Sequence, residues 1–161
     1  MKAQFKKFSD GTIVDVIEYS KKMIQLNPDV KIYIGCDSQN HRNKTNYVTA
    51  IVYRFPSKGA SVIMKTDRVP LIKDMWSKLW GELQRAIDVA GYIKFEGNIP
   101  IEKIELDFNE DVNSESNVIF KTAVGYAESL GYDVSYKDIM KGNIRNNLLM
   151  STWIADKLCR R

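Results

Sequence analysis

The sequence predicts an α/β domain, on three observations. Three β-like runs follow one another at residues 31–37, 46–55 and 60–66, reading as an antiparallel meander. Helical and β-like segments then alternate to the end of the chain. Polar or Gly-containing turns separate the runs, with neither a repeat nor a low-complexity tract. After a first helix the order is β-β-β-α-β-α-β-α.

The first helix spans residues 12–26, where Ile13, Val16, Ile17, Met23 and Ile24 recur at helical spacing until Asn27-Pro28 ends them. The strands "KIYIGCD", "NYVTAIVYRF" and "ASVIMKT" come next. A long helical pattern covers residues 71–93, and "KIELDF" at 103–108 reads as a buried strand. Residues 114–130 form a helix that Gly131 closes. A short strand at 132–136 and a last helix at 146–158 complete the chain.

At 161 residues, the chain has the size of one domain, residues 1–161. Its 44% hydrophobic and 27% charged content is that of a soluble globular protein. No apolar run reaches membrane-span length, and the start "MKAQFKKF" lacks the apolar core of a secretory signal, so a cytoplasmic protein with no membrane partner is expected. Cys36 and Cys159 lie far apart without a CxxC spacing, which points to reduced, buried thiols. With a single histidine, His41, any bound metal has to be held by oxygen. The net charge of +4 favours an anionic partner.

Four acids stand out. In the first strand, alternation puts Tyr33, Gly35 and Asp37 on one face and Ile32, Ile34 and Cys36 on the other, so Asp37 falls at the carboxyl end, where α/β proteins commonly place ligands. Projection of residues 71–93 gathers an apolar arc that includes Met75, Trp76, Leu79, Leu83, Ala86, Ile87 and Ala90. Glu82 is the only charge inside it. A carboxylate on a buried face has to be protonated, paired or bound to a cation. Asp107 repeats the strand-end position in "KIELDF", sharing a face with Lys103 and Glu105. Asp156 shares a side of the last helix with Leu149 and Trp153, a side apolar enough to pack on the sheet. Taken singly, each acid also fits an ordinary role: a turn former, a helix-edge residue reaching water, a loop charge or a solvated helix residue. Taken together, carboxylates at one sheet edge repel until a hard cation neutralises them. Mg²⁺ and Mn²⁺ suit such donors, and two such ions about 3.5–4 Å apart cleave phosphodiesters.

The order of elements, with acids on the first strand, first core helix, fourth strand and last helix, resembles the ribonuclease H-like superfamily. More narrowly, "IYIGCDSQ", "VTAIVYRF", "KGA", "LDFN", "ADKLC" and the "F..FSDG" entry to the first helix are similar to the YkuK-like family of ribonuclease H-like proteins. The resemblance covers nearly the whole chain. It implies an α/β fold with a mixed five-stranded sheet (three antiparallel strands, then two more) flanked by helices on both faces, the N-terminal helix being an addition. It also implies a two-ion Mg²⁺ or Mn²⁺ site on Asp37, Glu82, Asp107 and Asp156. Relatives carry a short Lys-Pro linker before the last helix, where this chain has the longer, proline-free "YKDIMKGNIRNN".

Lys73, Lys78, Lys141, Arg145, Lys157, Arg160 and Arg161 surround the expected site as candidate phosphate contacts, and each also reads as ordinary solvated charge. The leading expectation is a metal-dependent nuclease acting on RNA, an RNA:DNA hybrid or structured DNA. The alternative is a non-catalytic nucleic-acid-binding or adaptor module that keeps the fold.

Overall fold

A computed structural model describes residues 4–107, 114–136 and 150–160. The elements run β1 (Gln4–Lys7), β2 (Ile13–Asp15), α1 (Val16–Leu26), β3 (Lys31–His41), β4 (Lys44–Phe55), β5 (Gly59–Pro70), α2 (Met75–Gly91), β6 (Lys103–Leu106), α3 (Ser114–Ser129), β7 (Val134–Tyr136) and α4 (Met150–Cys159). They build an α/β structure on a mixed seven-stranded sheet of order β2-β1-β5-β4-β3-β6-β7. Strands β3, β4 and β5 are the antiparallel meander, while β6 and β7 add in parallel on the β3 side.

The sheet has seven strands where five were expected, because a short N-terminal hairpin pairs with the β5 edge through Lys6↔Met64 and Lys7↔Ile63. Strands of four and three residues carry too little alternation to be read from sequence. The first helix accordingly starts at Val16 rather than at residue 12. Asp15 caps it, accepting hydrogen bonds from the backbone N–H groups of Ile17 and Glu18 at 3.0 Å.

Strand β3 runs past Asp37 to His41, because its polar end keeps pairing through Asn40↔Thr45 and His41↔Lys44 to a tight turn in which Arg42 takes φ 55°. Asp37 therefore sits inside the strand, opposite Val48, and not at its tip. On the other side, the β6 pairing reaches only to Gly35↔Glu105. The acid thus lies past the last parallel pair, where the β6 edge of β3 opens.

Alternation along β3 and β4 separates two apolar layers. Ile32, Ile34, Cys36, Tyr47, Ile51 and Tyr53 pack with Leu83, Ala86 and Ile87 of α2 on one face. Val48, Ala50 and Val52 pack with Ile154, Ala155 and Cys159 of α4 on the other. Helix α2 is seated by Tyr47, whose hydroxyl donates to the Lys78 carbonyl at 3.2 Å. A Cβ at Gly81 would come within 2.8 Å of that phenol ring, so this close approach requires glycine.

Two packing expectations change. Met75 and Trp76, assigned to the buried arc of α2, are 62% and 40% exposed; the buried stripe begins at Glu82. Trp153, expected to bring Asp156 against the sheet, is 57% exposed, and α4 instead buries Ser151, Thr152, Ile154, Ala155 and Cys159. Phe108, Leu149 and the start expected for the last helix at residue 146 lie outside the described residues.

Candidate active site

The site is assembled by the docking of α4 on β3. A Cβ at Gly35 would lie 2.9 Å from the Thr152 backbone nitrogen, so only glycine lets the helix approach this closely. Beside it the buried carboxyl of Glu105 on β6 accepts from the Ser151 hydroxyl at 2.5 Å and from the Ser151 N–H at 3.1 Å. These bonds satisfy a donor in the first turn of α4, one of those a helix leaves unpaired. At the other end of α4 the Cys159 thiol donates to the Asp37 carbonyl at 3.2 Å. With both ends fixed, Asp156 faces Asp37.

Burial raises the Asp37 carboxyl from the ordinary 3.8 to about 7. The charge of Asp156 and a hydrogen bond between the two carboxyls add to the rise, the Ser38 backbone N–H opposes it, and the charge of Asp107 adds further. One Asp37 oxygen, Oδ2, is buried and receives no hydrogen bond from a donor among the described residues. Asp156 is itself engaged by Arg160 one turn later, Nε to Oδ1 at 2.8 Å, and more loosely by Gln39 at 3.4 Å.

Glu82 arrives from the other face. The residue is 5% exposed, and its carboxyl accepts a short hydrogen bond from the Ser38 hydroxyl. Ser38 belongs to the face that packs against α2, whereas Asp37 belongs to the α4 face. Burial drives the Glu82 carboxyl well above its usual range and the Asp37 charge adds to this, while the Ser38 bonds and Lys78 pull it back. The Asp37 charge reaches Glu82 across the open edge of β3, and the Ser38 amide eases both carboxyls.

Three acids on β3, α4 and α2, and Asp107 one residue past β6, thus gather about residues 37 and 38, with Asp37, Asp107 and Asp156 on the α4 side and Glu82 opposite. A hard divalent cation fits this donor set in kind: the groups are carboxyls, and Asp37 Oδ2 is a buried acceptor that no donor among the described residues serves. In arrangement, the described residues hold no group of three His, Cys, Asp or Glu side chains at ligating distance. Mg²⁺ requires less, since one or two carboxylates with water and substrate phosphate suffice.

Of the basic candidates, Lys73 is exposed, Lys78 is half-buried and acts on Glu82, and Lys157 is exposed, 5.9 Å over the Trp153 ring. Lys141, Arg145 and Arg161 lie outside the described residues. His41 is exposed at the end of β3. A separate cavity of about 960 Å³ between β5 and α2 is crossed by the Arg85–Asp67 and Lys65–Asp67 ion pairs, and none of the four acids lines it.

Sequence reasoning missed Glu105 with Ser151, the Arg160 clamp, and Asn46. Asn46 Oδ1 is a second buried oxygen without a hydrogen-bond partner among the described residues, and it lies across the strand pair from Gln39. Only Glu105 left a sequence signal, a charge alternating with Ile104 and Leu106 inside a buried strand.

A family model described as Ribonuclease H-like matches residues 12–159. No curated protein matches the chain. Among solved structures, the chain is similar to RNase H1 from the halophilic archaeon Halobacterium salinarum NRC-1, at 14% identity and TM-score 0.37, covering 70% of this chain and 87% of that one. It is similar to LC11-RNase H1 in complex with an RNA/DNA hybrid, at 13% identity and TM-score 0.41, covering 80% and 99%. It is also similar to Ciona intestinalis endonuclease V in complex with a 24mer DNA containing an inosine followed by a ribo-adenosine, at 14% identity and TM-score 0.42, covering 90% and 66%.

Proposed function

The chain belongs to the ribonuclease H-like family, and on that premise we propose that it is a nuclease that hydrolyses phosphodiester bonds in nucleic acid with Mg²⁺ or Mn²⁺. The observation that carries the reading is the Asp37–Asp156 pair: two carboxyls within hydrogen-bonding reach, one with a buried oxygen that no donor among the described residues serves. A fold does not spend such an arrangement on its own stability, since it gains from separating or protonating the two groups.

Asp37 and Asp156 would hold a cation, with Asp107 beside them, and Glu82 would be the fourth carboxylate of a two-ion set. The bound cation supplies charge stabilisation at the phosphoryl group and a lowered pKa for the attacking water. Arg160 orients Asp156 through the bond from its Nε and offsets its charge. Lys73, Lys78 and Lys157 attract the phosphate backbone and fix its register. "GCDSQ" and the ordered acids support placement in the YkuK-like branch of the family.

The test is cleavage of single-stranded RNA, an RNA:DNA hybrid and branched DNA by wild type and Asp37→Asn, with binding measured alongside. Wild type is expected to cleave at least one substrate, and the variant to lose at least about 1,000-fold while still binding. One observation favours a second reading, a non-catalytic nucleic-acid-binding module: Arg160 and Ser38 already engage Asp156 and Glu82. Salt-sensitive binding with no cleavage by either protein would establish that module and end the nuclease reading.

A further inference from the structure

The first turns of α2 carry an aromatic column that the acid site does not use. Trp76 and Trp80, one helical turn apart, stack with ring planes 5° from parallel and centroids 6.1 Å apart. Trp80 is backed by Tyr126 of α3 at 5.2 Å. Among the described residues Trp76 ends the column, at 40% exposure, beside Met75 at 62%. Indole is among the most hydrophobic groups a chain can leave in water, and here one of its faces lies along Trp80. That stacking narrows the orientations of the ring before any partner arrives, which lowers the entropy cost of stacking something on it.

We propose that Trp76, backed by Trp80 and Tyr126, is a stacking platform for an unpaired base, so that the substrate is a nucleic acid with a single-stranded segment. This deepens the nuclease reading and rests on it for the position of the platform relative to the acids. Two features select a nucleobase as occupant. The column presents a flat π-face, the geometry to which bases stack without regard to sequence. Lys73, three residues before Trp76 and exposed, gives a phosphate backbone its counter-charge. From Trp76 to Glu82 the helix rises about 9 Å and turns through about 120°, so a strand of a few nucleotides is needed to pass from the platform round the helix to the acids. Inside a duplex each base hides its faces against its neighbours, so only an unpaired base can dock there.

The experiment is fluorescence anisotropy in EDTA, where cleavage plays no part, with labelled single-stranded RNA and DNA of about 12 nucleotides and the blunt duplex of the same sequence. Wild type is compared with Trp76→Ala, Trp76→Phe and Lys73→Gln, and melting curves establish that each variant is folded. Trp76→Ala is expected to weaken single-strand binding by about 5- to 150-fold and leave duplex binding unchanged. Trp76→Phe is expected to retain most of the affinity, while Lys73→Gln weakens both strands and duplex and lowers the salt dependence. Single-strand affinity unchanged in Trp76→Ala overturns the platform, as does an equal loss on the duplex. A change in oligomeric state on light scattering also overturns it, assigning the column to contact between copies. Intact cleavage with no effect of Trp76→Ala removes the platform alone. Binding that depends on Trp76 without any cleavage removes the nuclease reading alone.

Discussion

Glu105 and Asp37 stand on neighbouring parallel strands, on the same face of the sheet and under the same helix, yet their circumstances differ. Glu105, 4% exposed, accepts from both the hydroxyl and the amide of Ser151 and so fixes the start of α4. Asp37 faces another carboxyl and keeps one buried oxygen that no donor among the described residues serves. A buried acid whose acceptors are filled holds a structure together. One that confronts its own kind stores repulsion, which a proton or a cation relieves. Burial alone therefore does not mark a functional carboxylate, whereas the identity of what faces it does.

The largest effect expected from breaking this contrast comes from Gly35→Ala. The new methyl meets the Ser151 side chain and the Thr152 backbone, so α4 has to move off the sheet. Urea unfolding is expected to show a loss of about 3 kcal/mol, and divalent-cation binding is expected to fail because Asp156 leaves Asp37.

Single-acid variants sharpen the contrast by giving opposite signs. Glu105→Gln loses part of the anchor and is expected to cost about 1–3 kcal/mol. Asp37→Asn removes repulsion and is expected to raise cation-free stability at pH 8 by roughly 2 kcal/mol. The sign follows from linkage. With the carboxyl raised from 3.8 to about 7, the folded protein holds a proton that the unfolded chain releases. The contribution is full below about pH 4, is lost as pH rises through about 7, and is flat beyond. Melting temperature measured from pH 4 to pH 8 in EDTA should fall in wild type and fall less in Asp37→Asn. Parallel curves for the two proteins would show that Asp37 is not the strained member of the pair.

The smallest effect is expected at Arg160, an exposed partner of Asp156. Arg160→Gln should change stability by less than about 1 kcal/mol. It should tighten Mn²⁺ binding a few-fold in a calorimetric titration, because the guanidinium no longer competes for the carboxylate. Weaker Mn²⁺ binding would instead make Arg160 a support of the site.

Much of the framework was legible in the sequence. Period-two alternation assigned Asp37 and Cys36 to opposite faces, and the helical projection found Glu82 as the charge within an apolar stripe. The hairpin of β1 and β2 was not legible, being too short to carry a period. The exposure of Trp76 was not legible either, since a projection gives the side of a helix but not where along its length the sheet lies beneath it.

By itself, the sequence determined the antiparallel meander, the long helix with Glu82 inside its apolar stripe, and the opposite faces taken by Asp37 and Cys36, because these follow from local periodicity. The tertiary structure decided which acids are satisfied and which confront one another. Ser38 meets Glu82 across 44 residues, Glu105 meets Ser151 across 46, and Gln39 meets Asp156 across 117. The state of a buried carboxyl depends on the group opposite, and contacts at such separations arise only when the helices settle on the sheet.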